Sequence, residues 1–226
     1  MMKRAALVVF GCLFGSCSSV DTDAPSGSGE QPAASVGRGI VSVSDAASAS
    51  GKQWPRPEWR VGDRFTLVRG ERMKGTFAVT SIVDGAYVLD MGGGSEIRRD
   101  RDLGNLGHWR QGKDGPERSM SPADVRYHWP LWLGKQWTCE YIDRTRDGRE
   151  LRMIASYEVE EMDRVTVPAG TFDALRIRRS LRMADAPEEQ PTTAQMIWYA
   201  PDAGLEVRQL LGDSMVELVE FERGPR

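Results

Sequence analysis

Along the C-terminal third of the chain apolar and polar residues alternate with a period of two, and this restricts the fold more than any other feature. The alternation runs through Ala155-Ser156-Tyr157-Glu158-Val159-Glu160, Leu205-Glu206-Val207-Arg208 and Val216-Glu217-Leu218-Val219-Glu220-Phe221. A helix would repeat every 3.6 residues, whereas a strand with one buried and one wet face repeats every two. Turn signals separate the runs at Asp84-Gly85, Gly92-Gly93-Gly94, Asp147-Gly148, Pro168-Ala169-Gly170, Pro201-Asp202-Ala203-Gly204 and Gly212-Asp213. The pattern predicts strands over 64–67, 76–83, 86–91, 136–141, 152–161, 164–167, 171–181, 193–199, 205–211 and 215–221. The expected fold class is mostly β, an antiparallel meander forming a curved sheet or half-barrel.

An internal match points the same way. Val61-Gly62-Asp63-Arg64-Phe65-Thr66-Leu67 aligns with Leu133-Gly134-Lys135-Gln136-Trp137-Thr138-Cys139, each preceded by Pro and Trp (Pro57 and Trp59; Pro130 and Trp132). Gly permits the turn that launches a strand, and the aromatic two residues past the charge anchors its inner face. A true duplication would make two similar β-layers or two halves of one curved sheet. Between the copies, residues 103–123 (LGNLGHWRQGKDGPERSMSPA) are dense in Gly, Pro and charge and read as a long surface loop, either a lid or a plain link.

The N-terminus has a different composition. Lys3 and Arg4 precede an apolar run over residues 5–14, and Gly15-Ser16 stand directly before Cys17. This is the order of a secretory leader, far short of the ~20 apolar residues that span a bilayer. The small residues before Cys17 resemble the lipobox of bacterial lipoproteins, in which that cysteine is acylated. A cut at Cys12 would leave too short an apolar region, and Phe14 stands where lipoboxes carry Leu, so release as a soluble protein is the competing outcome. Residues 18–52 hold Ser, Ala, Gly and Pro with no large apolar group beyond Val and Ile, too little to offset chain entropy. They read as a tether of roughly 30 to 35 Å end to end. The expected organisation is a leader at 1–16, acylated Cys17 and linker at 17–52, and a β-rich domain at 53–226.

Charge and cysteine usage narrow the function. The chain carries 30 Lys and Arg against 33 Asp and Glu, so no basic excess argues for nucleic acid. The clusters Arg98-Arg99-Asp100-Arg101 and Arg176-Ile177-Arg178-Arg179 read as solvated strand faces. Once Cys12 and Cys17 are accounted for, Cys139 is alone, and its parity with Trp137 and Tyr141 predicts a buried core thiol. With only His108 and His128, no metal site is expected. No nucleophile elbow or phosphate-binding glycine motif occurs, nothing selects a carboxylate pair for acid–base work, and no catalytic residue or cofactor is assigned. Seven tryptophans remain, at 54, 59, 109, 129, 132, 137 and 198. A groove involving Trp109, Trp129 and Trp132 would take an acyl chain, peptide or sugar; the competing reading makes the tryptophans core and end-plug residues.

The run Val165-Thr166-Val167-Pro168-Ala169-Gly170-Thr171-Phe172-Asp173-Ala174, followed by Trp198-Tyr199-Ala200-Pro201-Asp202-Ala203-Gly204 and Val216-Glu217-Leu218-Val219, resembles uncharacterised bacterial periplasmic and lipoprotein domains of unknown function. Pro130 to Trp137 is similar to their P-L-x-x-G-x-x-W element. The resemblance implies an antiparallel curved sheet, supplies no catalytic residues, and makes Pro168 and Gly170 a structural turn. The expectation is a non-enzymatic envelope lipoprotein, held by its acyl anchor, facing the periplasm from the outer membrane, and binding an envelope protein or acting as a scaffold. The alternative is a periplasmic carrier of lipid or acyl chains in the concavity of the sheet; a hydrolase ranks third.

Overall fold

The computed structural model describes residues 37–44, 51–70, 73–186 and 193–225. The leader, Cys17 and residues 18–36 and 45–50 of the expected tether lie outside them. Among the described residues there is no helix. The strands are β1 (Gly39–Val43), β2 (Arg64–Arg69), β3 (Met73–Val83), β4 (Ala86–Asp90), β5 (Ser95–Arg99), β6 (Asn105–Arg110), β7 (Pro116–Asp124), β8 (Gln136–Thr145), β9 (Glu150–Val167), β10 (Gly170–Met183), β11 (Thr193–Ala200), β12 (Leu205–Leu211) and β13 (Ser214–Glu222).

From β2 to β13 each strand pairs antiparallel with its sequence neighbour, and β13 pairs back onto β2, so the twelve close into a barrel. The meander is as expected. Its closure corrects the open curved sheet or half-barrel, and closure leaves no strand of the ring with a free edge along its whole length. Three further expectations change. Residues 103–123 are not a loop: they form β6 and most of β7, joined by a turn in which Gly112 and Gly115 take φ of 74° and 73°. The strands expected at 152–161 and 164–167 are one strand, β9, carried past a bulge at Glu160. Within the expected linker, residues 39–43 form β1, so the folded part begins before residue 53.

The aligned segments launch β2 and β8 with one backbone scheme. Gly62 and Gly134 take φ of 96° and 83°, a region a β-carbon disfavours. Gly62 N–H donates to Val79 O and Gly134 N–H to Val159 O, both at 2.8 Å. Val79 N–H returns to Asp63 O at 2.8 Å and Val159 N–H to Lys135 O at 2.9 Å. Phe65 then stacks on Phe77, centroids 5.2 Å apart, as Trp137 does on Tyr157 at 4.9 Å. The hydroxyl pairs Thr66/Thr76 and Thr138/Ser156 both stand at 3.0 Å. Bulges recur in matching places, at Thr80 of β3 and Glu160 of β9, and at Leu106 of β6 and Val207 of β12. The barrel therefore consists of two related halves, β2–β7 and β8–β13, and the launching segments meet in an isolated bridge between Trp54 and Leu131.

The core follows from the pleat. Phe65, Phe77, Val79, Tyr87 and Leu89 are buried in the first half, and Trp137, Cys139, Tyr157, Val159, Ile177, Ile197 and Val207 in the second. Fully burying an aliphatic or aromatic side chain of this size stabilises by about 1.5–3 kcal/mol.

Candidate functional site

Charged side chains penetrate this core from four places in the sequence. Asp124, the last residue of β7, and Arg179 on β10 are both buried. Arg179 Nη2 donates to Asp124 Oδ2 at 2.8 Å, its Nε to the Tyr157 hydroxyl at 2.8 Å, and its Nη1 to Gln195 Oε1 at 3.0 Å. Tyr157 in turn donates to Asp124 Oδ1 at 2.6 Å. Each member of this network has partners, as a buried ion pair requires. Burial disfavours the Arg179 cation, but Asp124 and the surrounding phenols outweigh it and hold the guanidinium charged.

A second cluster is less complete. Glu206 of β12 accepts a hydrogen bond from the Tyr127 hydroxyl at 2.6 Å and another from Gln209. Arg99, at the end of β5, and Arg126, just past β7, approach its Oε1 to 3.7 and 3.5 Å. Those are ion-pair distances beyond a good hydrogen bond. The Nε atoms of both arginines are buried without a hydrogen-bond partner. Burial pushes the Glu206 carboxyl up, yet Arg126 and Arg99 together hold it below its usual value. Three guanidinium groups thus face two carboxylates. An ion taken from water into a protein loses several kcal/mol of hydration, and a carboxylate shared between two cations cannot fully offset both.

The bulge at Val207 places Glu206 here. Opposite β11, Arg208 pairs with Trp198 and Glu206 with Tyr199, so the extra residue turns Glu206 to the side of buried Tyr199. Simple alternation had put it on the wet face. Arg99 and Arg179 also correct the expectation of solvated strand faces. Arg179 lies two residues from buried Ile177 on one strand, and Arg99 is paired across the sheet with buried Tyr87. A sequence signal existed in the adjacent Arg178-Arg179 and Arg98-Arg99, because neighbouring strand residues point to opposite faces and one of those faces lines the core in a half-buried sheet.

The tryptophans singled out from sequence do not form one groove. Trp129 stacks on Tyr127 with centroids 5.2 Å apart and meets Tyr199 at 5.5 Å, while its Nε1 donates to Asp102 O at 2.9 Å. It therefore borders the Glu206 cluster. Trp132 is buried in the β8 launching segment with Lys135 Nζ 4.0 Å from its ring centre. Trp109 carries Arg98 over its ring at 4.4 Å, on the sheet face opposite Arg99. Cys139 is fully buried, and its thiol is pushed up to about 12, first by burial and then by Asp124. Pro168 and Ala169 link the paired residues Val167 and Gly170 in the β9–β10 hairpin. Among the described residues no group of three or more His, Cys, Asp or Glu stands ready for a metal.

No protein-family model matches the chain, and no curated protein matches it. Among solved structures it is similar to the hypothetical lipoprotein YmcC from Escherichia coli (K12), at 8% identity over 75% of this chain and 90% of that one, with a TM-score of 0.49. It is also similar to a candidate lipoprotein from Parabacteroides distasonis, at 13% identity over 75% of this chain and 97% of that one, with a TM-score of 0.41. A candidate exported protein with YmcC-like fold from Bacteroides fragilis matches at 13% identity over 76% of this chain and 100% of that one, with a TM-score of 0.43.

Proposed function

We propose that this chain is a lipid-anchored, non-enzymatic protein of the bacterial envelope, held on the periplasmic side of the outer membrane through Cys17, whose barrel binds an anionic group between Arg99 and Arg126. The anchor rests on the leader pattern that ends at Cys17. The binding reading rests on one observation: two guanidinium groups share the single carboxylate of Glu206, and both leave a buried Nε unpartnered. A carboxylate or phosphate oxygen is the chemistry that satisfies such donors, because the planar fork matches it. Carriage of an acyl chain is the weaker reading, since the interior holds Asp124, Arg179, Glu206, Arg99 and Arg126 where an apolar ligand would lie.

The test is thermal unfolding of the mature chain in acetate or phosphate against chloride at equal ionic strength. Wild type is expected to gain a saturable few degrees, as ligand binding to the native state requires. Arg126→Gln leaves Arg99 paired with Glu206, so it is expected to lose the gain while unfolding no earlier than wild type in chloride. An equal gain in Arg126→Gln, or none in wild type, sinks the anion site. The anchor is tested separately by palmitate labelling, which Cys17→Ala is expected to abolish.

A further inference from the structure

The two halves differ at one seam. In the second half β13 follows β2 to its start: Leu218 pairs with Leu67, a bulge falls at Val219, and Glu220, Phe221 and Glu222 pair with Thr66, Phe65 and Arg64. In the first half β7 pairs with β8 only from Arg118 to Ser121, opposite Thr145 to Ile142. Residue 122 is a proline, with no N–H to continue the ladder. The remainder of β8 is covered by β1. Ile40 pairs with Cys139, a bulge falls at Val41, and Ser42 and Val43 pair with Thr138 and Trp137. Position for position, bulge included, β1 fills the place that the end of β13 fills in the other half.

This strand comes from a distant part of the chain and leaves much of its apolar side-chain surface in water. Arg38 reaches Glu140 at 2.6 Å across 102 residues of sequence. Ile40, Val41 and Val43 are 36%, 40% and 39% exposed. A recess of about 420 Å³ lies beside the strand, lined by Ser42, Val43, Gln136, Thr138 and Ser156 among others. Nine residues lie between Ser44 and Trp54, so the ten steps of chain from one to the other span at most about 33–36 Å. Because β1 precedes its acceptor by about a hundred residues, it stays unpaired until β8 is made, while the β1 of a neighbouring chain is equally available.

We propose that the β8 edge from Gln136 to Glu140 is a strand-acceptor site and that its partner is a second copy of this chain, the two exchanging β1 reciprocally. A second copy is the partner whose strand is shown to fit, since the same residues fill the site within one chain. Exchange conserves every backbone pair and adds a closed two-fold assembly. The inference is independent of the anion site.

The test is to co-express two differently tagged full-length chains, one Ser42→Cys and the other Thr138→Cys, whose substituted residues are cross-strand partners. Cys139 is fully buried and stays out of the exchange chemistry. The expected result is a disulfide-linked band of doubled mass carrying both tags, absent when either variant is expressed alone. The double variant Ser42→Cys/Thr138→Cys in a single chain serves as the control for geometry. If that control closes its disulfide and the mixed chains give no doubled band, exchange is refuted. If the control does not close, β1 does not occupy the site and the proposal falls with it.

Discussion

The halves of the barrel share a backbone and differ in what they enclose. At the launching turns, equivalent positions hold Asp63, 3% exposed, and Lys135, 1% exposed. Asp63 accepts hydrogen bonds from Gly224 N–H at 2.8 Å, Arg60 N–H at 3.0 Å and Arg223 Nη1 at 2.7 Å, fastening the segment that follows β13. Lys135 Nζ donates to His128 O at 2.6 Å and Pro130 O at 2.7 Å, fastening the segment before β8. One geometry thus admits either sign of charge, provided that the neighbouring loop offers the complementary atoms: donors around Asp63, carbonyls around Lys135. The stacked pair repeats this freedom in milder form. Phe65 and Phe77 need no polar partner, whereas Trp137 donates to Val125 O and Tyr157 to Asp124. Tyr157 accordingly joins the buried ion pair that Asp124 of β7 and Arg179 of β10 make between the two halves, a bond that its counterpart Phe77 has no polar atom to make.

The largest test of this contrast removes the ion pair. Asp124→Ala leaves Arg179 charged in the core and is expected to cost about 3–5 kcal/mol in urea unfolding. The double variant Asp124→Leu/Arg179→Met is expected to recover most of that loss, because well-packed apolar residues replace a buried pair with little penalty. If the double variant is as weak as the single, the stack of Trp137 on Tyr157 depends on its polar neighbours in a way that the stack of Phe65 on Phe77 does not. A smaller effect is expected at the first launching turn. Asp63→Ala removes three accepted hydrogen bonds and leaves the buried Gly224 N–H unpaired, while the donors on Arg60 and Arg223 lie on exposed residues, so the loss is about 2 kcal/mol. It should be accompanied by faster proteolysis at residues 223–225.

Much of this architecture is visible in the residues and some is not, for local reasons. The alternation around Tyr157 and Val207 marks strands because each has one wet face. Strand β5 shows no such pattern: all five residues from Ser95 to Arg99 are partly exposed, so neither face declares itself. Strands β6 and β7 are obscured by glycine, proline and charge, and closure of the barrel depends on them. Arg179 was legible as an inward residue from its parity with Ile177, but the charge-based reading of the cluster overrode it. Glu206 was not legible, because its direction is set by a bulge that alternation cannot reveal. The strand at residues 39–43 is composed like a tether, and only a vacancy about a hundred residues away makes it a strand.

The smallest expected effect separates the two launching turns by pH. Burial lowers the Lys135 ammonium to about 8, against about 10.4 for an unfolded lysine. Below pH 8 both states are protonated. Between pH 8 and 10 the folded state has given up a proton that the unfolded state keeps, so stability rises with pH over that window. Other groups titrate there as well. Tyr127 and Tyr157 are pushed up, largely by burial, and oppose the trend once free tyrosine begins to ionise. Their contribution cancels in a difference between variants. Lys135→Met loses both carbonyl contacts and is expected to be about 1–2 kcal/mol weaker at pH 8, with the gap to wild type widening towards pH 10. The same difference measured for Asp63→Ala is the comparison for that widening. A flat profile for Lys135→Met would mean that the ammonium keeps its proton, and that the carbonyls of His128 and Pro130 with the Trp132 ring compensate a buried cation as fully as three donors compensate Asp63.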